Sequence, residues 1–147
     1  MLYWGSILSE GMVTFTRTTE YALRTLGYMA SREHELLSAD ALHAALKIPK
    51  KYLQRLLTDL TRSKLLKSVR GRNGGFRLAR TTREITLAEI IHAVEGSRLK
   101  PECFFGFAKC ALDAPCAMHE VWVRSQRTVH DALHTTRLAD IAGTSWR

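Results

Sequence analysis

The stretch ALHAALKIPKKYLQRLLTDLTRSKLLKSVRGRNGGFRLA, positions 41–79, decides the fold class. Ser38 stands just before it as a helix cap, and Ala41, Leu42, Ala45 and Leu46 are expected to face a core. Lys47 and Ile48 make a brief turn. Pro49 then suits the first position of the next helix, where a missing N–H costs nothing. That helix repeats Leu53, Leu56, Leu57 and Leu60, a 3.6-residue apolar stripe. Two helices across a tight turn, the second one basic, outline a helix-turn-helix. Strand-like runs at 65–69 and 76–79 flank Arg70-Gly71-Arg72-Asn73-Gly74-Gly75, whose Asn-Gly-Gly supplies the positive-φ residues of a tight hairpin. A basic-tipped hairpin directly after a helix-turn-helix reads as a wing.

Working outward, Thr18 and Thr19 are the expected caps of a helix running to about residue 31, with Tyr21, Ala22, Leu23, Leu26, Met29 and Ala30 as its apolar stripe. Thr86 and Glu89 form a capping-box pair ahead of Leu87, Ile90, Ile91 and Val94, and Gly96 closes that helix. A loop rich in Cys, Phe, Gly and Pro follows, then a long helix over about 116–135 whose less polar positions are Val121, Trp122, Ser125, Val129, Ala132 and Leu133. The fold class is therefore mainly α with a small β-hairpin wing. Residues 1–12 read as an N-terminal extension, 13–96 as a winged helix-turn-helix DNA-binding domain, 97–116 as a cysteine-bearing loop and 117–147 as a long helix with a C-terminal tail.

The chain has 147 residues, 46% hydrophobic and 24% charged, with a formal net charge of +8. That is ordinary globular composition and excludes wholesale disorder. No apolar run approaches the ~20 residues of a membrane helix. Residues 1–11 lack the basic start and cleavage site of a signal peptide, and Met12 is an alternative start. A cytoplasmic protein with no membrane partner is expected. Between Lys47 and Arg83 the chain carries twelve basic side chains and one acid, Asp59. Such a block focuses potential toward a phosphate backbone.

The leucine stripe of the basic helix turns Lys51, Gln54, Arg55, Thr58 and Arg62 away from the core, and Lys50 stands at its start. Gln54 can read an adenine edge, Arg55 or Lys51 a guanine edge or a phosphate. The bland alternative is the wet side of an amphipathic helix. The wing favours DNA, because Arg70, Arg72 and Asn73 around a glycine turn suit minor-groove or phosphate contact.

All three cysteines, Cys103, Cys110 and Cys116, lie within fourteen residues. An odd count is not a disulfide framework, and no C-x-x-C pair is present. Three thiolates on one loop can instead hold a cofactor. His119, three residues past Cys116 at a helix start, is the nearest fourth donor. This donor set fits zinc or an iron–sulfur cluster; three half-buried cysteines among Phe104, Phe105 and Phe107 are the alternative. His130 and His134 share a helix face, but no third ligand accompanies them. His34, His43 and His92 stand alone.

From about Val13 to Ile141 the sequence resembles the IscR/NsrR group of winged-helix iron–sulfur regulators in the Rrf-two superfamily. The resemblance is carried by Phe15-Thr-Arg-Thr-Thr-Glu-Tyr-Ala-Leu-Arg24, Ile48-Pro-Lys-Lys-Tyr-Leu53, Val69-Arg-Gly-Arg-Asn-Gly-Gly-Phe-Arg-Leu78, the three-cysteine loop and Leu138-Ala-Asp-Ile141. It implies a homodimer paired through the long C-terminal dimerisation helix, a cluster held by Cys103, Cys110 and Cys116, and binding to a double-stranded DNA operator that depends on cluster state. His119 matches the histidine of the members that bind 2Fe–2S. Glu20 falls where the nitric-oxide-sensing members place an acidic ligand contributed by the partner chain. The six-residue first spacer departs from the commoner five, leaving 4Fe–4S beside the favoured 2Fe–2S.

The function expected is a transcriptional repressor whose cluster senses redox state, nitric oxide or iron supply, with no small-molecule substrate. The alternatives are a cluster-free or zinc-bound regulator switching by thiol oxidation, and an adaptor binding acidic protein. A small iron–sulfur enzyme fits poorly, because no nucleotide loop or nucleophile–base set stands out.

Overall fold

The computed structural model of the protein describes residues 15–96, 103–104 and 116–144. Helix α1 spans Arg17–Ala30, α2 Ala39–Leu46 and α3 Lys50–Arg62; strands β1, Leu66–Val69, and β2, Gly75–Leu78, form an antiparallel hairpin. Helix α4 covers Leu87–Glu95, α5 His119–Thr135 and α6 Leu138–Ile141.

The cap of α1 falls two residues before the first expected one: Thr16 is the N-cap and accepts from the Thr19 N–H. Thr18 and Thr19 are already helical, and both hydroxyls are engaged elsewhere, Thr18 with Tyr52 and Thr19 with Glu95. Ser38 caps α2 as expected, accepting from the Ala41 N–H at 3.1 Å. Only Leu42 and Leu46 of that helix are buried, while Ala41 and Ala45 face solvent. An eight-residue helix lying on one neighbour buries a single i,i+4 seam, and both alanines fall outside it.

Lys47 ends α2 in the left-handed region at φ +56, and the ring of His43 hydrogen-bonds the Ile48 carbonyl at 2.6 Å, closing the turn. Pro49 is the cap of α3 and not its first helical residue. Its carbonyl accepts the first helical bond, from Leu53 N–H at 2.9 Å, which is the work of a cap residue. Leu53, Leu56, Leu57 and Leu60 are all buried, as the stripe predicts.

In the hairpin, Leu66 faces Leu78, Lys67 faces Arg77, Ser68 faces Phe76 and Val69 faces Gly75. Leu66 and Leu78 are buried, so that side of the hairpin lies on the core. Leu37, in the connector before α2, adds a third-strand bridge. Its N–H donates to Phe76 O at 2.9 Å and its carbonyl accepts from Phe76 N at 2.8 Å.

The capping box of α4 is present in full, and Gly96 ends the helix at φ +57. Helix α5 packs against α4 and buries none of its residues fully; Trp122, Gln126 and Leu133 are half-buried. The chain then returns to the core. Leu87 N–H donates to Thr136 O at 3.1 Å, Leu138 N–H to Ile85 O at 2.8 Å and Ala139 N–H to Thr82 O at 3.0 Å. Leu138 is fully buried, and α6 lies on α1. The C-terminal segment thus supplies part of the winged-helix core as well as the long helix. No helix among the described residues is long and apolar enough to cross a membrane.

Candidate nucleic-acid interface and cysteine cluster

With the four leucines of α3 pointing inward, Lys50, Lys51, Gln54, Arg55, Thr58 and Arg62 are all exposed. Two of the cations are already paired. Lys50 Nζ lies 2.5 Å from Asp40 Oδ1 in the first turn of α2, and Arg62 lies 3.7 Å from Asp59 one turn back. The ammonium of Lys50, hydrogen-bonded to it, holds the Asp40 carboxyl below its ordinary value, helped by direct charge attraction. Thr58 returns its hydroxyl to the Gln54 carbonyl at 2.9 Å. Lys51, Gln54 and Arg55 lie exposed along one face and make no side-chain hydrogen bond or ion pair among the described residues. At the hairpin tip Arg70, Arg72 and Asn73 are likewise exposed.

The wing is held close to the helix-turn-helix by its glycines. A Cβ at Gly75 would sit 2.7 Å from Leu37 O, and one at Gly74 would sit 2.3 Å from Val69 O. Only residues without a side chain permit these approaches. The positive φ of the turn falls at Gly71, at +117, and not at Asn73, Gly74 or Gly75 as the sequence suggested; Gly75 instead lets β2 lie against the connector that ends in the cap of α2.

Sequence reasoning missed two tethers at the base of α3 and α1. Tyr52, on the third residue of α3, shares a hydrogen bond with Thr18 and meets Tyr21 edge-on at 5.3 Å between ring centroids. Glu95, the last residue of α4, accepts from Thr16 N–H at 3.3 Å and from the hydroxyls of Thr16 and Thr19. These partners lie 76 and 79 residues away, beyond any local pattern.

Of the cysteine set, Cys103 is half-buried and Cys116 exposed, while Cys110 lies outside the described residues. Next to Cys103, the ring of Phe104 meets Trp122 of α5 edge-on at 5.5 Å. Phe104 thus lies against the first turn of α5, where His119 is the first helical residue and its N–H donates to Cys116 O at 3.0 Å. Among the described residues no three His, Cys, Asp or Glu side chains converge on one point. Glu20 is exposed on α1 and pairs with Arg24 at 3.4 Å; Arg24 also donates to Leu46 O at 2.8 Å. His130 and His134 lie with ring centroids 4.0 Å apart on the exposed side of α5, and His134 hydrogen-bonds the His130 carbonyl.

The sequence profile of the Rrf2 family, described as an iron-dependent transcriptional regulator, matches residues 15–144. The chain is 30% identical over 128 residues to the HTH-type transcriptional regulator NsrR of Bacillus licheniformis, spanning 86% of this chain and 90% of that one. CymR, the global cysteine regulator of B. subtilis, is structurally similar with a TM-score of 0.77 at 25% identity, over 91% of this chain and 99% of that one. T. potens IscR gives a TM-score of 0.70 at 26% identity, over 90% and 88%.

Proposed function

The chain belongs to the Rrf2 family of transcriptional regulators, whose members bind DNA and are typically dimeric, and from that premise we propose that it is a homodimeric repressor whose operator affinity is set by an iron–sulfur cluster. The observation that carries the cluster reading is the Phe104–Trp122 contact, which brings the neighbour of Cys103 against the first turns of α5. Cys116 and His119 stand at that helix start. Two thiols, which are soft donors, and an imidazole, which is a borderline one, suit iron–sulfur or zinc and are ill suited to a hard cation.

In this reading Cys103, Cys110 and Cys116 bind as thiolates, His119 is the fourth donor, and Glu20 of a second copy is its alternative. When bound, the cluster supplies a centre reactive toward oxygen and nitric oxide. Lys51, Gln54, Arg55, Thr58, Arg62 and Lys50 meet the major groove, and Arg70, Arg72 and Asn73 the backbone or minor groove. Val121 and Val129, exposed on the same side of α5, offer an apolar strip for the second copy. Residues 97–118 join α4 to α5, so loss of the cluster frees the segment that sets the position of α5. Two recognition helices reading half-sites of fixed spacing then lose register together.

The test is an anaerobic visible spectrum with iron and sulfide counts on wild type and His119→Ala. About two irons per chain and a spectrum altered by His119→Ala support 2Fe–2S with His119. About four irons, indifferent to that change, move the fourth ligand to Glu20. The likeness to CymR favours a second reading, a cluster-free regulator switched by thiol oxidation. That reading expects a colourless protein under strict anaerobiosis and reversible disulfides. Cys110→Ala is expected to lose the cluster and keep basal DNA affinity, whereas Arg55→Ala keeps the cluster and loses operator discrimination.

A further inference from the structure

We propose that Lys67 and Arg77, on the outer face of the hairpin, form a phosphate site for duplex DNA beyond the wing tip; the inference rests on the DNA-binding reading above. The ladder register places the two residues directly opposite each other. Their neighbours Leu66 and Leu78 turn into the core, so by strand alternation Lys67 and Arg77 turn outward, and both are exposed. Like charges facing across an antiparallel pair destabilise it, with Cβ atoms only about 5 Å apart. An anion lying between them reverses that sign.

The surroundings leave both cations available. They line a groove of about 720 Å³ with Glu33, His34, Arg80 and Glu84. The two carboxylates there are already engaged. Glu33 accepts from Thr82 N–H at 2.9 Å and from the Thr82 hydroxyl at 3.2 Å. Glu84 accepts from Thr81 N–H at 3.0 Å and from its hydroxyl at 2.8 Å, and these bonds keep its carboxyl ionised below the ordinary range. Arg80 is paired with Glu89 at 2.7 Å. Among the described residues, the side chains of Lys67 and Arg77 make no hydrogen bond or ion pair.

Continuity with the tip selects the ligand. Lys67 lies three residues from Arg70 along the chain, roughly 10 Å, close enough for one duplex backbone to reach both. A backbone engaged by Arg70 and Arg72 therefore runs on toward Lys67 and Arg77. An isolated acidic peptide would lack that continuity.

The experiment is fluorescence anisotropy of the full chain on a 40-base-pair duplex of arbitrary sequence across a salt series, with thermal melts of every variant. For Lys67→Ala/Arg77→Ala the slope of log affinity against log salt is expected to fall by about two, and affinity near 0.15 M salt by roughly 30-fold. The melting midpoint should hold or rise, since a repulsion has been removed. Lys67→Glu, which pairs with Arg77 across the ladder, should raise the midpoint further and bind DNA at least as weakly. Arg77→Lys should keep the wild-type slope. An unchanged slope in the double variant, with Arg72→Ala lowering it by about one, overturns the inference and leaves the DNA reading standing. A lowered midpoint in the double variant also overturns it. Binding of polyglutamate to wild type, lost in the double variant while the DNA slope is unchanged, reassigns the groove to an acidic protein. A wild type with no salt-dependent DNA affinity overturns both readings.

Discussion

Replacing Gly75 by Ala tests how the wing is fixed to the helix-turn-helix. The added Cβ would lie 2.7 Å from Leu37 O, 2.8 Å from Leu37 C and 3.2 Å from Ser38 N, all backbone atoms that cannot swing aside as a side chain can. Relief requires β2 and the connector to separate, which breaks the reciprocal Leu37–Phe76 bonds of 2.9 and 2.8 Å. Each such bond contributes about 1 kcal/mol net, and overpacking that relaxes only in part adds about 1–3 kcal/mol. The expected loss is about 3–5 kcal/mol. With a urea dependence of about 2 kcal/mol per molar, the midpoint of a far-ultraviolet denaturation curve falls by roughly 1.5–2.5 M. Asn73→Ala, at the exposed tip of the same hairpin, should stay within about 0.5 kcal/mol of wild type. Because Ser38 caps α2, DNA affinity should weaken as well. A Gly75→Ala protein as stable as wild type would show that the connector yields freely, and the argument for a clamped wing would fail.

Three further outcomes are expected. Glu95→Ala removes the acceptor for Thr16 and for the buried Thr19 hydroxyl, and a thermal melt should show a loss of about 2–3 kcal/mol. Asp40→Asn releases Lys50 from its ion pair, so affinity for any duplex near 0.15 M salt should rise about five-fold, the worth of one added phosphate contact. Glu89 is pushed up by partial burial, but the Thr86 N–H and Arg80 bonds outweigh this and lower its carboxyl below the ordinary 4.5. A lowered folded-state value means stability present above about pH 4.5 and lost as pH falls through the folded value. Urea midpoints of wild type and Glu89→Gln should therefore differ at pH 6 and converge at pH 3; parallel curves would remove the linkage.

What was legible in the sequence is what repeats within one turn or one hairpin. The leucines of α3 announced their own burial, and Thr86 with Glu89 announced the start of α4, because in both cases cause and effect lie four residues apart or less. The start of α1 was not legible. Thr18 and Thr19 looked like the caps, but the cap is Thr16, and Thr19 is drawn inward by Glu95 from the far end of the domain. Leu138 escaped for another reason. A four-residue helix is too short to show periodicity, so only the main-chain bonds to Thr82 and Ile85 reveal that it belongs to the core. The basic window was visible as charge, yet its division between Lys50, tied to Asp40, and the unpaired Lys67 and Arg77 depends on register and on partners from other elements. Two of the three cysteines fall within the described residues, and Trp122, read only as a less polar helix position, meets the ring of Phe104 next to the first of them.

The return of the chain at Thr136–Leu138 makes α5 a beam supported at both ends. Its first turn is joined to Cys116, whose carbonyl accepts from His119 N–H, and its last is built into the same core that carries α3. A cantilever would answer a push at its root by sweeping its free tip. A beam held at both ends answers by twisting about its own axis and loading its far support. That support is α6 lying on α1, and α1 is tied to α3 through Thr18 and Tyr52. Torque applied at Cys116 thus has a mechanical path to α3 without any element leaving its seat.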